Sequence, residues 1–316
     1  MISPAGAAPL ATGAAGTSLH PESVNWHVTA VCNYSCRFCF LTLDGFRASS
    51  EPGVALHQPL GDASKLLRLL KEAGTLKLTF AGGEPTLCRE LPGLIAESSG
   101  LGLVTMLVSN GTGVTASFLE ACSTHLSAVK LSVESSSDAT EARLGRGTGN
   151  HLSTVRRAAK LCREFHVPVM VNTVVTAENW DEDLHALIGE LQPTRWKVFQ
   201  VLRVEGENHS GWPSLAVDDL RFSAFCSTHA DLRPIVEDNR LMTGSYVMVD
   251  PLGRFFQHNG TGYVYSRPIL EVGVAIALGE VGWDRETFLA RGGQYDLPPP
   301  TAPLPTAKTD AQGGAA

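Results

Sequence analysis

The chain is poor in charge, and poorest in positive charge. Charged residues make up 18% of its 316 residues, against roughly 25% in an average domain. Lys and Arg number 25 and Asp and Glu 32, so the formal net charge is −7. A general nucleic-acid binder or a polybasic membrane-surface protein needs a net basic face, and both are excluded. An anionic ligand must then be held by a few placed cations. No basic residue precedes an apolar core near the N-terminus, and no run is long and apolar enough to be a membrane span. A cytoplasmic protein with neither a membrane nor a nucleic acid as partner is expected. The seven cysteines are an odd number, with three grouped together and the rest scattered. That pattern lacks the logic of a secreted disulfide framework and fits a reducing compartment with one metal site. No internal repeat is visible at the periods of about 20–50 residues that mark solenoids.

What is present is alternation. β-rich apolar runs at 24–31, 76–80, 103–108, 128–133, 168–175 and 196–202 are separated by amphipathic helical stretches. Such β/α units in order predict a parallel sheet with helices outside, curled by right-handed crossovers into a full or partial barrel. The expected fold class is α/β, a partial (β/α)6 TIM-type barrel over 22–216. A C-terminal α/β extension over 217–297, with a hairpin around Pro251-Leu252-Gly253, is expected to close the substrate site. Residues 1–21 and 298–316, biased toward small residues and proline, read as a disordered leader and tail. Polar, cysteine or glycine residues recur after the strands, at Cys32 to Cys39, Gly82 to Glu84, Ser109-Asn110, Glu134, Asn172 and Arg203. Parallel α/β folds bind ligands at C-terminal strand ends, so these positions predict one shared site.

Cys32-x3-Cys36-x2-Cys39 places three thiols on one short loop after the first strand. Three ligands suit a four-iron cluster with one iron left open, and an open position is how a metal site takes a reactant. A zinc site or unpaired buried cysteines are the alternatives on spacing alone. Phe38, just before the third cysteine, is an apolar side chain able to shield a cluster from water.

That loop, with its aromatic before the last cysteine, and Gly82-Gly83-Glu84-Pro85 after the second strand resemble the radical S-adenosylmethionine (radical SAM) enzymes. Longer stretches are similar to the viperin-like branch of that superfamily. They include Val24-Asn25-Trp26-His27-Val28-Thr29, Val108-Ser109-Asn110-Gly111, Leu144-Gly145-Arg146-Gly147, Arg195-Trp196-Lys197-Val198-Phe199-Gln200, Glu205-Gly206-Glu207-Asn208 and Arg291-Gly292-Gly293-Gln294-Tyr295. The resemblance implies a [4Fe–4S] cluster on Cys32, Cys36 and Cys39. It implies S-adenosylmethionine (SAM) bound by Phe38, Gly82, Gly83, Glu84, Ser109, Asn110, Ser132 and Arg146. It implies a nucleoside triphosphate held by Asn25, Lys77, Asn172, Arg195, Lys197, Arg267 and Arg291. The implied reaction is a dehydration: a 5′-deoxyadenosyl radical takes the ribose 4′ hydrogen, the 3′ hydroxyl leaves as water, and one electron and one proton quench the resulting radical. The product, a 3′-deoxy-3′,4′-didehydro nucleotide, would terminate polymerase chains in antiviral or antiphage defence. CTP is the favoured substrate, with UTP or GTP as alternatives. Tyr246 is the expected catalytic source of a hydrogen atom or proton, and flavodoxin or ferredoxin the expected electron donor.

Two positions depart most from the vertebrate members of that branch, and Gln294, in place of a lysine near the C-terminus, is a third and weaker departure. Ala81 stands where they carry serine, and Met170 where they carry lysine. These departures point to a different base, another phosphorylation state, or a compensating cation such as Arg203. Two other functions compete. One is a different radical SAM enzyme, but those with a second cluster carry extra C-terminal cysteines, and only Cys226 follows Cys162. The other is a non-catalytic nucleotide sensor with a structural metal. Asn33 is expected to shape the cysteine loop, and His27 is given no catalytic role.

Overall fold

A strand in the middle of a sheet is covered on both faces, and β2 (Lys77–Ala81) is buried at every position although Lys77 and Thr79 alternate with its apolar residues. It lies in the middle of a sheet whose parallel core is β1 (Ser23–His27), β2, β3 (Val104–Ser109), β4 (Ala128–Ser132), β5 (Val169–Val175) and β6 (Arg195–Gln200). The computed structural model describes residues 20–42, 59–208 and 211–297. The expected tail, and nearly all of the expected leader, fall outside those residues.

Helices cover the outer face. In α1 (Leu60–Glu72), Ala63, Leu66, Leu67 and Leu70 are buried, the spacing that puts apolar side chains on one helical stripe. Fully burying each such leucine contributes about 1.5–3 kcal/mol. In α2 (Leu91–Gly100) the same stripe is Leu91, Leu94 and Ile95. The chain continues through α3 (Ala116–Cys122), α4 (Asp138–Arg143), α5 (His151–Glu164) and α6 (His185–Leu191). These helices and the outward strand residues, such as Leu78, Phe80, Leu107, Val129 and Val171, share one apolar core.

The C-terminal segment is not a separate layer. Its strand β7 (Ile235–Glu237) extends the sheet parallel to β6, whereas β8 (Val247–Val249) pairs parallel to β1 at the opposite side. β9 (Arg254–His258) and β10 (Tyr263–Pro268) then add antiparallel strands, giving the order β10-β9-β8-β1-β2-β3-β4-β5-β6-β7. The expected hairpin is β8–β9. Asp250 accepts the backbone N–H of Leu252 and Arg254 in its turn, each at 2.9 Å. Between β7 and β8 the chain passes from one flank of the curled sheet to the other, so Glu237 and Tyr246 meet across the opening.

Register sets the interior in tiers, because alternate strand residues share a face. Lys130 pairs in register with Met170, and Met170 with Arg195. One step toward the C-terminal strand ends, Ser132, Asn172 and Lys197 are neighbours. One step the other way, Met106 and Ala128 are neighbours and join Met170 and Tyr295 in a small apolar plug.

Candidate active site

A cavity of about 290 Å³ runs from the C-terminal strand ends into the barrel. Cys32, Cys36 and Cys39 line it as free thiols. Their loop has no regular structure and is fastened from several sides. The chain leaves β1 after His27 because the carbonyls of Thr29 and Val31 turn to accept the N–H of Gly83 and Glu84, both at 2.8 Å. Only glycine permits this approach: a Cβ on Gly83 would lie 2.3 Å from the Val31 oxygen. Gly145 plays the same part opposite, where a Cβ would lie 2.2 Å from the Ser35 oxygen. There Leu144 and Gly145 accept the N–H of Arg37 (2.9 Å) and Ser35 (3.3 Å). Asn208 donates to the Phe38 carbonyl at 3.2 Å, and Glu207 accepts the Thr42 N–H at 2.6 Å. Asn33 bridges Thr112 and Asn110, so it shapes the loop as expected.

Burial pushes the Cys36 thiol up to about 11 and that of Cys39 to about 12. Three soft donors converging on one cavity, costly to ionise without a cation, are the chemistry that suits an iron–sulfur cluster. Tyr34 N–H already points at the Cys32 sulfur, 3.4 Å away.

Glu84 is buried beside this loop. Its carboxylate accepts the Thr86 N–H (3.1 Å) and hydroxyl (2.6 Å), the Ser109 hydroxyl (2.8 Å) and the Asn110 N–H (2.8 Å). Burial raises its pKa against those hydrogen bonds, and they hold the carboxylate in one orientation at the cavity wall. Arg146 stands nearby over the Phe38 ring, 5.4 Å from its centroid. It is buried in an ion pair with Glu134, with Glu141 at 4.0 Å. Burial alone would lower its pKa, but Glu134, Cys36 and Glu141 outweigh that and raise it. Glu141 also accepts the N–H of Glu134 and Ser135, each at 2.8 Å.

The deeper part of the barrel is cationic. Lys77, Lys130, Arg195, Lys197 and Arg291 gather there. Glu237 is the one carboxylate in ion-pair contact with any of them among the described residues, through Lys197 and Arg291. Tyr246 donates its hydroxyl to Glu237 at 2.5 Å, and the Arg291 guanidinium lies 3.6 Å from its ring centroid. Asn25 and Asn172 line the cavity with side-chain amides that no other described residue engages.

Most residues expected from the sequence line this cavity together: the three cysteines, Phe38, Gly82, Gly83, Glu84, Ser109, Asn110, Ser132, Arg146, Asn25, Asn172, Arg195, Lys197 and Tyr246. Three expected phosphate cations are placed otherwise. Arg267 is on the exposed surface, paired with Glu280 at 2.6 Å, and is not brought to the cavity. Arg267→Ala is therefore expected to leave nucleotide KM and thermal stability unchanged within about 0.5 kcal/mol, read by steady-state kinetics and melting. Lys77 faces the interior but below the cavity, donating to the carbonyls of Gly293 (3.0 Å) and Tyr295 (3.2 Å). Arg291 sits behind the Tyr246 ring. Arg203, the suggested compensating cation, is exposed and pairs with Glu205 at 3.2 Å. Lys130 and Glu237 are additions. Lys130 lies two residues before Ser132, so strand alternation alone puts both on one face. Glu237 has no comparable signal.

Residues 26–190 match the radical SAM superfamily. The chain is 38% identical over 279 residues to an S-adenosylmethionine-dependent nucleotide dehydratase of Lacinutrix mariniflava, covering 87% of this chain and 58% of that protein. It is 36% identical over 284 residues to one from Flammeovirga pacifica, covering 89% of this chain and 97% of the relative. A third, from Danio rerio, is 36% identical over 290 residues, with 87% and 78% covered. Among solved structures, Streptococcus suis SuiB bound to S-adenosylmethionine superposes with a TM-score of 0.55 at 16% identity, over 74% of this chain and 59% of that one. Native anSMEcpe with bound AdoMet gives 0.55 at 18%, over 74% and 73%. Those two share the fold. With its cysteine loop, Gly-Gly-Glu turn and span of 97% of the Flammeovirga pacifica relative, the chain belongs to the viperin-like SAM-dependent nucleotide dehydratases of the radical SAM superfamily, enzymes that work with a [4Fe–4S] cluster and SAM.

Proposed function

We propose that this chain converts a ribonucleoside triphosphate, CTP first and UTP or GTP as alternatives, to its 3′-deoxy-3′,4′-didehydro analogue. The observation that carries the reading is one cavity with a thiol loop at its mouth and a cationic floor. Cys32, Cys36 and Cys39 would hold the cluster, and Glu84, oriented by four donors, would pair with the amino group of SAM. When bound, cluster and SAM supply reductive cleavage and hydrogen-atom abstraction. Phe38 packs under Arg146 and keeps water from the loop. Asn25 and Asn172, at mid-depth with free amides, offer both donors and acceptors to ribose or base. Arg195 and Lys197, two apart on β6, share one face and offer charge to the phosphates. Tyr246 holds at Oη the proton that leaves with the 3′ hydroxyl as water, and the sugar radical that remains takes one electron from the external donor to give the closed-shell didehydro product. Segment 217–297 closes the site by supplying Glu237, Tyr246 and Arg291.

A polyanion is matched here by placement, which the net charge of −7 does not report. No helix among the described residues is long and apolar enough to cross a membrane. The reading sets the reaction in a reducing cytoplasm, with flavodoxin or ferredoxin as electron donor. The test is anaerobic incubation of the reconstituted protein, SAM and reductant with CTP, UTP, GTP and ATP separately. One nucleotide is expected to lose the mass of one water as 5′-deoxyadenosine accumulates. No 5′-deoxyadenosine above the nucleotide-free background with any of the four would sink the proposal.

A further inference from the structure

The other cations deep in the barrel have engaged partners. Lys197 and Arg291 hold Glu237. Lys77 donates to two carbonyls of the C-terminal segment, and Arg195 donates to the Gly292 carbonyl at 3.0 Å while stacking on Tyr295. Lys130 is different. Its ammonium lines the cavity and, among the described residues, donates only to the Thr79 hydroxyl, 3.2 Å away. Its register partners on the adjoining strands, Val108 and Met170, are apolar. An ammonium removed from bulk water with one neutral oxygen for company is costly unless an anion arrives.

We propose that Lys130 is a phosphate-binding residue of this chain, presented from β4 into the cavity on the tier that Met170 and Arg195 share. The proposal rests on the nucleotide reading for the identity of its ligand, a polyphosphate chain. The charged groups that act on Lys130 are Lys77, Arg195, Lys197 and Arg291, with Glu237 as the one opposing carboxylate. Burial first, then Arg195 and Arg291, lower the Lys130 ammonium to about 7. The negative charge of an arriving phosphate opposes both causes, so binding takes up a proton once the free ammonium has begun to lose its own. Affinity therefore falls as pH rises past that value.

The probe is inorganic tripolyphosphate, titrated calorimetrically into the anaerobic holoenzyme at about pH 6 and about pH 8, in two buffers of different ionisation enthalpy. Wild type is expected to bind, with proton uptake at the higher pH. Lys130→Met is expected to bind about 30-fold more weakly at the lower pH, the loss of one charge-assisted hydrogen bond, and to take up fewer protons. Because residues 130 and 170 are register partners, the double variant Lys130→Met/Met170→Lys returns an ammonium to the same tier. It is expected to recover affinity to within about 3-fold of wild type, a rescue that a merely structural role of Lys130 would not show. Thermal melting confirms that each variant is folded, and Lys130→Gln replaces Lys130→Met if the latter is not. Equal affinity and equal proton uptake in wild type and Lys130→Met would overturn the assignment, as would a double variant no better than the single one. Absence of turnover with every nucleotide, beside an intact tripolyphosphate difference, would overturn the dehydratase reading and leave Lys130 as an anion site.

Discussion

Tyr246→Phe is expected to lower nucleotide product formation by about 10²–10⁴-fold while 5′-deoxyadenosine is still released. The expectation rests on where the phenolic proton is kept. Burial pushes the Tyr246 pKa well above that of an ordinary tyrosine; Arg291 opposes the rise and Glu237 adds to it. Burial would raise Glu237 too, but Lys197 and Arg291 pull it net below the usual carboxylate range. The proton therefore stays on the Tyr246 oxygen, 2.5 Å from a carboxylate that remains ionised. In the proposed reaction, departure of the 3′ hydroxyl as water needs one proton as well as one electron, and Tyr246 is the group that keeps a proton inside the cavity. Phenylalanine keeps a ring under Arg291 and leaves Glu237 its two cations, so the substitution removes the hydroxyl with little else. Single-turnover mass spectrometry reads product and 5′-deoxyadenosine separately. Product still formed at the wild-type rate, one per 5′-deoxyadenosine, would show that the proton comes from another group.

The parts of this site carried by local pattern were legible in the sequence. The cysteine spacing, the Gly-Gly-Glu turn and the alternating strands placed the mouth of the cavity correctly, because each is set within a few residues by backbone geometry. Gly83 and Gly145 make room for the backbone of the cysteine loop, so part of their use is to position the thiols. Lys130 is legible by the same period of two that selects Ser132. Glu237 is not, because β7 is three residues long and gains its place only by pairing with β6 from a distant connection. Arg267 and Arg291 are two arginines of the C-terminal segment that sequence alone cannot separate. One meets Glu280 at the surface; the other is turned inward at the end of the helix Arg285–Ala290, where Gly292 adopts φ +70°. Lys77 lies on the inward face of β2 but at its N-terminal end, where Tyr295 fills the barrel.

Arg146→Met is expected to destabilise the folded protein by about 3–5 kcal/mol, because it removes the cation from two buried carboxylates. Side-chain exposure is 8% for Arg146, 1% for Glu134 and 0% for Glu141, so water does not replace the lost partner. Burial already holds both carboxyl groups above their ordinary values, with Arg146 opposing the rise. Without the guanidinium they rise further. A carboxyl raised in the folded state costs nothing while it is protonated in both states. It costs progressively more as pH climbs above the unfolded value toward the folded one. The deficit of Arg146→Met relative to wild type is therefore expected to be smallest in acid and largest at neutral to alkaline pH. Denaturant unfolding under anaerobic conditions at several pH values measures it. Arg146→Met/Glu134→Gln, with one buried charge fewer, is expected to recover part of the loss. A deficit under about 1 kcal/mol, or one that does not change with pH, would mean that the carboxylates are satisfied without the arginine. Iron content should follow stability in the single variant. The turn that carries Arg146 also supplies the Leu144 and Gly145 carbonyls that hold Arg37 and Ser35. The buried charge triad and the cysteine loop are thus one mechanical unit, and an unpaired carboxylate would be relieved by the movement that releases the thiols.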